Sequence, residues 1–170
     1  EESFEEAYSE EDETGECDEE EYATDDDLRD GGGFIDALTR LFFGGLDASV
    51  TKYDLKNIAG ARDVSDREIE DLSGVEHCVN LVVLNLAGND LVKISALAGL
   101  VRLESLFLSE NSIEDIGCLA GLLNLRELDI SFNCVEDVSV LRFLPALEYV
   151  NVVGNPLRDI SRQPFRGHAR

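Results

Sequence analysis

The side chains that could carry metal or thiol chemistry are few, and they are scattered along the chain. They are Cys17, Cys78, Cys118, Cys134, His77 and His168. No two cysteines form a C-x-x-C pair, and a structural zinc site needs ligands at closer spacing than these. The repeat register described below puts the last three cysteines at three different repeat positions, which argues against disulfides. We therefore expect free thiols, no metal and no cofactor, and free thiols favour a reducing compartment.

Sequence motifs of enzyme active sites are absent. The chain contains no G-x-S-x-G, H-E-x-x-H, Walker or G-x-G-x-x-G motif, and neither histidine has an evident nucleophile as a partner. A calcium loop containing Asp25 and Asp27 is excluded, because Arg29 stands where the third ligand should be and no glycine stands at the sixth position. We therefore predict that the protein is not an enzyme.

Negative charge is concentrated at the N-terminus. Residues 1–30 contain 17 Asp and Glu and a single Arg, a net charge of −16, whereas residues 31–170 carry −7. A segment so acidic cannot bury enough apolar surface to offset the entropy of ordering it. Residues 1–33 are therefore predicted to be a disordered acidic tail that ends in a three-glycine linker. No apolar run reaches the roughly 18–20 residues that a transmembrane segment needs.

The lead-in to the rest of the chain has the pattern of a small helical cap. One helical stripe, ended by Gly44-Gly45, contains Phe34, Ile35, Leu38, Leu41 and Phe42. A second helix is predicted to begin at Thr51, because Thr51 and Asp54 have the spacing of a capping box and Val50 and Leu55 that of a hydrophobic staple. Leu55 and Ile58 should then face the core.

The strongest pattern is an internal repeat between residues 80 and 167. Four 22-residue segments follow one another without a gap: NLVVLNLAGNDLVKISALAGLV, RLESLFLSENSIEDIGCLAGLL, NLRELDISFNCVEDVSVLRFLP and ALEYVNVVGNPLRDISRQPFRG. Each opens L-x-x-[LV]-x-[LIV]-x-x-N-x-[LIV], and the fourth keeps the pattern as far as Ile160. A degenerate copy, with Arg67 in place of the asparagine, precedes them. Ser65-x-x-Glu68 could instead cap a helix there, but we favour the repeat phase.

The alternation L-x-L is the period of a short strand, and successive repeats place such strands side by side in a parallel sheet. The residues predicted to face inward are Leu81, Leu84, Leu86, Leu103, Leu106, Leu108, Leu125, Leu128, Ile130, Leu147, Val150 and Val152. An asparagine recurs every 22 residues where the chain leaves the strand: Asn89, Asn111, Asn133 and Asn155. We predict that these four form a structural ladder, in which each side chain bonds turn backbone of its own and neighbouring coils.

The repeats resemble the 22-residue leucine-rich-repeat subclass of eukaryotic phosphatase-regulatory repeat proteins and bacterial internalins. The resemblance covers residues 34–160, and the lead-in is similar to the N-terminal cap of internalin-like surface proteins through Phe34-x-Asp36-x-Leu38, Val50-Thr51, Asp54-Leu55 and Ile69-x-Asp71-Leu72-Ser73-Gly74. It implies an α/β solenoid, with short parallel β-strands on the concave face and a helical N-terminal cap. It also implies protein binding on the concave sheet without catalysis. A cell-surface or secreted location follows from the internalin-like resemblance, and a cytoplasmic one is the alternative.

Strand residues that alternate with the buried leucines face the concave side of such a solenoid. They form two columns, Val83, Ser105, Glu127 and Tyr149 in the first and Asn85, Phe107, Asp129 and Asn151 in the second. Phe107 and Tyr149 are large aromatics that we expect to be exposed, and Glu104 and Glu148 add to the acids around them. Exposed aromatics with a charged rim predict a binding patch for a protein. Scattered exposure without function is the alternative for Phe107.

The sequence as a whole predicts a monomeric, non-catalytic protein-interaction module. The acids of the patch favour a basic protein partner, and nucleic acid is not expected because the body lacks concentrated Lys and Arg. Two alternatives stay open: a fragment of a bacterial cell-surface adhesin, and an acidic-tail chaperone of basic proteins. The predicted organisation is a tail and linker at 1–33, a helical cap with the degenerate repeat at 34–79, four repeats at 80–167, and a short tail at 168–170.

Overall fold

The computed structural model describes residues 33–43 and 50–158. Within these residues two helices come first, α1 (Phe34–Phe42) and α2 (Lys52–Asn57). Five strands follow: β1 (Ala59–Asp63), β2 (Asn80–Asn85), β3 (Ser105–Phe107), β4 (Glu127–Asp129) and β5 (Tyr149–Asn151). They form one parallel sheet in which each strand pairs with the next along the chain. The predicted leucine-rich-repeat solenoid with a helical N-terminal cap is confirmed.

Several sequence predictions fall outside the described residues. They concern the acidic segment 1–32, the helix stop at Gly44-Gly45, Cys17, Ile160, His168 and the tail at 168–170. Gly33, which the sequence assigned to the linker, instead belongs to the cap and contacts two of its residues. Its carbonyl accepts a hydrogen bond from the Ala37 amide at 3.2 Å, and it pairs with Asp71 in a parallel β-bridge.

Each coil of the solenoid pairs a strand with a short 3₁₀ segment, and the core lies between these two layers. The 3₁₀ segments are Val75–His77, Ser95–Gly99, Gly117–Gly121 and Ser139–Phe143. The residues predicted to face inward from the first three full repeats are all completely buried. Leu147, Val150 and Val152 of the fourth repeat are only partly buried, because within the described residues they pack against one neighbouring coil instead of two.

The cap closes the N-terminal end of this core. Thr51 and Asp54 form the predicted capping box: the Asp54 amide donates to Thr51 Oγ1 at 3.2 Å, and the Thr51 amide donates to Asp54 Oδ2 at 3.0 Å. The backbone hydrogen bond from Thr51 to this carboxylate holds the pKa of Asp54 below its ordinary value. Val50, Leu55 and Ile58 are buried, as the staple and the helix phase predict.

The predicted stripe of α1 is buried only in its first part. Phe34, Ile35 and Leu38 are buried, but Leu41 and Phe42, on the same predicted stripe, are 39% and 46% exposed. Phe42 instead lies beside the guanidinium of Arg62, whose Cζ is 5.0 Å from the centroid of the phenyl ring. A cation–π contact of this kind covers one face of the ring and leaves the other to water.

The first strand shows how the N-terminal edge of the sheet is closed. Arg62 pairs with Leu84, so it stands in a column where the other coils have leucine or valine. Its Nη1 donates to the carbonyls of Ala59 at 3.1 Å and Ala61 at 2.7 Å, within its own strand. Unpaired backbone groups at a sheet edge invite pairing with another strand, and an arginine that occupies two carbonyls makes such pairing less favourable.

The degenerate first coil follows the repeat phase. Ile69, Leu72 and Val75 are buried at the positions that the repeat predicts. No helix begins at Ser65, whose amide and hydroxyl both donate to Oδ1 of Asp63, at 3.0 and 2.7 Å. The alternative interpretation of this segment as a helix cap is therefore wrong.

Four asparagines tie each coil to the one before it. In Asn133, Oδ1 accepts the Ile113 amide at 2.9 Å, and Nδ2 donates to the carbonyls of Leu108 at 2.8 Å and Ile130 at 3.1 Å. The equivalent three bonds are made by Asn89, Asn111 and Asn155. Each amide thus provides partners for three backbone groups in two coils, and groups at this depth would otherwise be buried unpaired.

Removal of one of these amides should destabilise the fold according to the depth of its position. Asn111→Ala or Asn133→Ala should lower the free energy of unfolding by about 1–3 kcal/mol, because three backbone groups lose a partner. Asn155→Ala should cost less, since Asn155 is only partly buried. Urea unfolding followed by circular dichroism measures all three, and equal, negligible losses would contradict the assigned register.

Candidate functional site

The concave face is formed by the strand residues that alternate with the buried leucines. The strand register aligns the first predicted column, Val83, Ser105, Glu127 and Tyr149, across β2 to β5. It aligns the second column, Asn85, Phe107, Asp129 and Asn151, in the same way. Neighbouring strands of a sheet lie about 4.8 Å apart, so each column is a row of adjacent side chains. All eight residues that the sequence predicts for partner binding are therefore brought together on one surface.

Exposure varies across this surface. Tyr149 is 54% exposed, and the other seven residues are partly buried. Phe107 was expected to be exposed, and that expectation is wrong. Its neighbours in the same column, Asn85 on β2 and Asp129 on β4, flank it on both sides and reduce its access to water.

The second column has a structural pattern that the sequence analysis missed. Asp63, Asn85, Asp129 and Asn151 share this register position, and each side-chain oxygen accepts the backbone amide two residues later, at 2.9–3.2 Å. Such a bond turns the chain out of the strand. Phe107 occupies the same position in β3 and has no oxygen to offer. It is therefore a departure from what the turn favours.

Hydrogen bonds hold one of the two acids of β4 in place, and neither acid is neutralised. Asp129 Oδ1 accepts the amide of Ser131 at 2.9 Å and its hydroxyl at 2.6 Å, and Oδ2 accepts Nδ2 of Asn151 at 3.0 Å. Within the described ranges, Glu127 makes no hydrogen bond or ion pair with its side chain. Arg126, next to it, lies 3.7 Å from the carboxylate of Glu148. Neither carboxylate of β4 has a cationic partner in the described part of the chain.

Two apolar side chains extend the surface past the ends of β4 and β5. Phe132 and Val153 are 58% and 64% exposed, and the Phe132 amide donates to the Val153 carbonyl at 2.7 Å. Phe132 has a φ of 54°, in the left-handed region where a bulky residue is strained. Gly154 leaves room for the ring, because a Cβ there would lie 2.6 Å from Phe132 Cδ1. Phe132 could have been found from the sequence, because it is an aromatic at a repeat position that the other coils fill with Asp66, Gly88, Glu110 and Gly154.

The described cysteines are not arranged for thiol or metal chemistry. Burial raises the pKa of Cys78 to about 12 and that of Cys118 to about 11, so neither is a thiolate at neutral pH. Cys134 is exposed, and all three thiols are free. Residues 33–43 and 50–158 contain no group of three or more His, Cys, Asp and Glu that could hold a metal ion. No helix in these ranges is long and apolar enough to cross a membrane.

The concave face provides contact surface and negative charge that no cation of the described residues compensates. Phe107 and Tyr149 supply ring surface, and the carboxylates of Glu127 and Asp129 lie on the strand between them. The two columns contain no histidine, cysteine or lysine. Aromatic surface with oriented charges is suited to binding a partner, since rings supply buried area and charges supply orientation.

Comparison with known proteins identifies the same repeat. The family profile described as "Leucine Rich repeats (2 copies)" matches residues 79–122, 101–143 and 123–166, which together make up just over half of the chain. Proteins of this family are typically non-catalytic. No curated protein matches the chain in sequence.

Solved structures of internalins are similar to this fold. An internalin (inlF) from Listeria monocytogenes is 32% identical, with a TM-score of 0.68, and the match covers 75% of this chain and 37% of that one. Internalin C2 from the same species is 25% identical, with a TM-score of 0.52, over 74% of this chain and 65% of that one. The functional domain of InlJ, also from Listeria monocytogenes, includes a cysteine ladder. It is 22% identical, with a TM-score of 0.65, and the match covers 75% of this chain and 27% of that one. This chain spans less than two thirds of the length of each.

Truncation of neighbouring residues in β3 should separate the core from the concave face. Leu106→Ala should lower the free energy of unfolding by about 2–5 kcal/mol, because Leu106 is completely buried. Phe107→Ala should cost about 1–2 kcal/mol, since much less apolar area is lost from a partly buried ring. Thermal unfolding of both variants gives the comparison. A loss at Phe107 as large as that at Leu106 would place Phe107 in the core and remove it from the candidate site.

Proposed function

The chain belongs to the leucine-rich-repeat family, and from this premise we propose that it is a non-catalytic protein-interaction module that binds its partner through the concave face. The family supports protein interaction in general. The choice of the concave face follows from this chain's own residues. Phe107, Tyr149, Glu127 and Asp129 are the centre of the proposed site, and Val83, Asn85, Ser105 and Asn151 complete it.

The observation that carries the proposal is the phenylalanine in the second column. At four other coils this register position holds an Asn or Asp whose oxygen accepts a turn amide. Phe107 gives up that bond, and it places a ring on a face where only part of the ring is buried. A residue that breaks a local rule without an evident gain for the fold is expected at functional sites.

Charge supports a basic partner. Glu104, Glu127, Asp129 and Glu148 lie on or beside the two columns, and Arg126 is the cation among them. The pairing of Arg126 with Glu148 leaves three acids uncompensated. Complementary charge mainly accelerates association and orients the partner, whereas buried rings provide most of the affinity.

A second candidate is a role within a larger bacterial cell-surface adhesin. The 32% identity to an internalin of Listeria monocytogenes favours it. Sequence upstream of Glu1 discriminates the two, because a signal peptide would favour the adhesin and a plain initiator Met the interaction module. An acidic-tail chaperone of basic proteins predicts instead that removal of residues 1–30 abolishes binding while changes on the concave face have no effect.

Single truncations on the concave face should weaken partner binding. Phe107→Ala and Tyr149→Ala should each reduce affinity by about 1–3 kcal/mol, since each removes a ring from the centre of the interface. Glu127→Lys or Asp129→Lys should slow association with a basic partner, and more strongly at low salt, where charges are less screened. Capture by the full chain, followed by surface plasmon resonance on the captured protein, measures both effects.

Leu123→Ala provides the matched control, because Leu123 is 55% exposed, like Tyr149, but lies outside the strands. It should leave affinity unchanged. The proposal is contradicted if a quadruple change at Phe107, Glu127, Asp129 and Tyr149 retains the affinity of the unmodified chain for every captured protein. The binding surface would then lie on the convex side or in the acidic segment.

A further inference from the structure

We infer that the concave face recognises an arginine side chain of its partner, which lies between the rings of Phe107 and Tyr149 and against the carboxylates of Glu127 and Asp129. This inference deepens the proposed function and rests on it. It names the chemistry of the group that the partner inserts: a planar guanidinium on an alkyl stem, presented by a protein segment.

The four residues form a compact grid centred on β4. Glu127 and Asp129 are two residues apart on one face of the strand, a separation of about 6.6 Å. Phe107 on β3 pairs with Asp129, and Tyr149 on β5 pairs with Glu127, so each carboxylate has one ring directly beside it. The rings occupy one diagonal of the grid and the carboxylates lie between them. A flat cation placed over β4 therefore meets a ring on either side.

The negative charge of the grid is available to a partner, and at Asp129 it is also held in place by hydrogen bonds. Three donors hold Asp129, but they are a backbone amide, a hydroxyl and a carboxamide, so they fix the carboxylate without neutralising it. Glu127 has no partner within the described ranges, and its exposure is only partial. The cation adjacent in sequence, Arg126, is directed to Glu148. Among the residues that the structure describes, no cation pairs with Glu127 or Asp129, so this arrangement can accept one from a partner.

Arginine fits this grid better than lysine or a metal ion. A guanidinium stacks on ring faces and presents five donors in a rigid plane, so it can engage two carboxylates and a ring together. A lysine ammonium is compact and strongly hydrated, so it gains less binding energy than a guanidinium from contact with the ring faces. Calcium takes six to eight oxygen ligands, and two carboxylates of which one already accepts three hydrogen bonds supply too few.

The chain contains a matched pair of acids that lacks the rings. Glu114 and Asp115 are exposed, and Asp115 Oδ1 accepts the Gly117 amide at 2.7 Å, just as Asp129 accepts that of Ser131. The residues at the same repeat positions in the neighbouring coils are Val92, Lys93, Glu136 and Asp137. Loss of charge at this pair therefore reproduces the electrostatic change at Glu127 and Asp129 without touching an aromatic grid.

The test uses the full chain, labelled with ¹⁵N, and three tripeptide probes: acetyl-Ala-Arg-Ala-amide, its citrulline analogue and its lysine analogue. We expect the arginine probe to shift the amide signals of Phe107, Glu127, Asp129 and Tyr149 in a saturable way. Citrulline, which has the same shape without the charge, should shift them little. Phe107→Ala or Tyr149→Ala should weaken arginine binding about two- to fivefold, the range for an exposed cation–π contact.

The double change Glu127→Gln with Asp129→Asn should weaken arginine binding by about tenfold or more, because both charge-assisted bonds are lost. The amide oxygen of the new asparagine can still accept the turn amide, which keeps the fold intact. Glu114→Gln with Asp115→Asn should change binding by less than about twofold, so it separates the grid from general attraction to an acidic chain. The inference is overturned by equal binding of citrulline, by equal binding of lysine, or by equal effects of the two double changes.

The captured partner distinguishes failure of this inference from failure of the proposed function. In one outcome, Phe107→Ala and Tyr149→Ala abolish capture of the partner, whereas the chain with Glu127→Gln and Asp129→Asn captures it fully. This result would keep the concave face as the binding surface and overturn arginine recognition. Full capture by the chain changed at all four positions overturns both.

Discussion

The solenoid depends on one hydrogen-bonding arrangement, the asparagine amide that bridges two coils. Asn111 shows the constraint: its Oδ1 accepts the Leu91 amide, and its Nδ2 donates back to Leu86 and within its own coil to Leu108. Since Leu86 also accepts from Asn89, one carbonyl is shared by asparagines of adjacent coils. A shift of one coil by a single residue would break these bonds and turn the buried leucines toward water. The 22-residue spacing is thus fixed by polar groups of the interior as much as by leucine.

This fixed register decides which concave positions are free to vary. The second column must also turn the chain out of each strand, and Asn or Asp meets that need at four of its five coils. The choice of residue is therefore limited there, and the turn accounts for Asn85 and Asn151. Glu127 and Tyr149 in the first column are not needed for such a turn bond. Phe107 in the second column has no side-chain oxygen with which to make it. These three residues, which the turn does not explain, are at the centre of the site that we propose, because a scaffold of this kind leaves function to side chains grafted on it.

The sequence predicted the features that repeat and the capping box of α2, and it missed several other features that occur once. Buried leucines, the asparagine ladder positions and both columns follow from a period that four coils share, and the capping box follows from Thr51 and Asp54. Arg62 could not be predicted, because it stands in a leucine column and bends back to carbonyls of its own strand. The predicted exposure of Phe107 was wrong, because the access of its ring to water depends on the sizes of the two flanking side chains. The left-handed backbone of Phe132 recurs at the same repeat position in the other described coils, at Asp66, Gly88, Glu110 and Gly154, and only the two glycines indicate it in the sequence.

Charge is distributed unequally between the segments at the two ends of the strands. This difference affects the direction from which a charged partner is attracted. The segments that leave the strands contain ten acids and three basic residues: 64–72, 86–94, 108–116, 130–138 and 152–158. Those that lead into the strands contain three of each: 73–82, 95–104, 117–126 and 139–148. A cationic segment is therefore attracted over distances of about one Debye length toward the edge where strands end. Phe132 and Val153 are exposed at that same edge. Negative charge and exposed apolar surface therefore lie at the same ends of the strands, an arrangement that suits the basic partner that we propose.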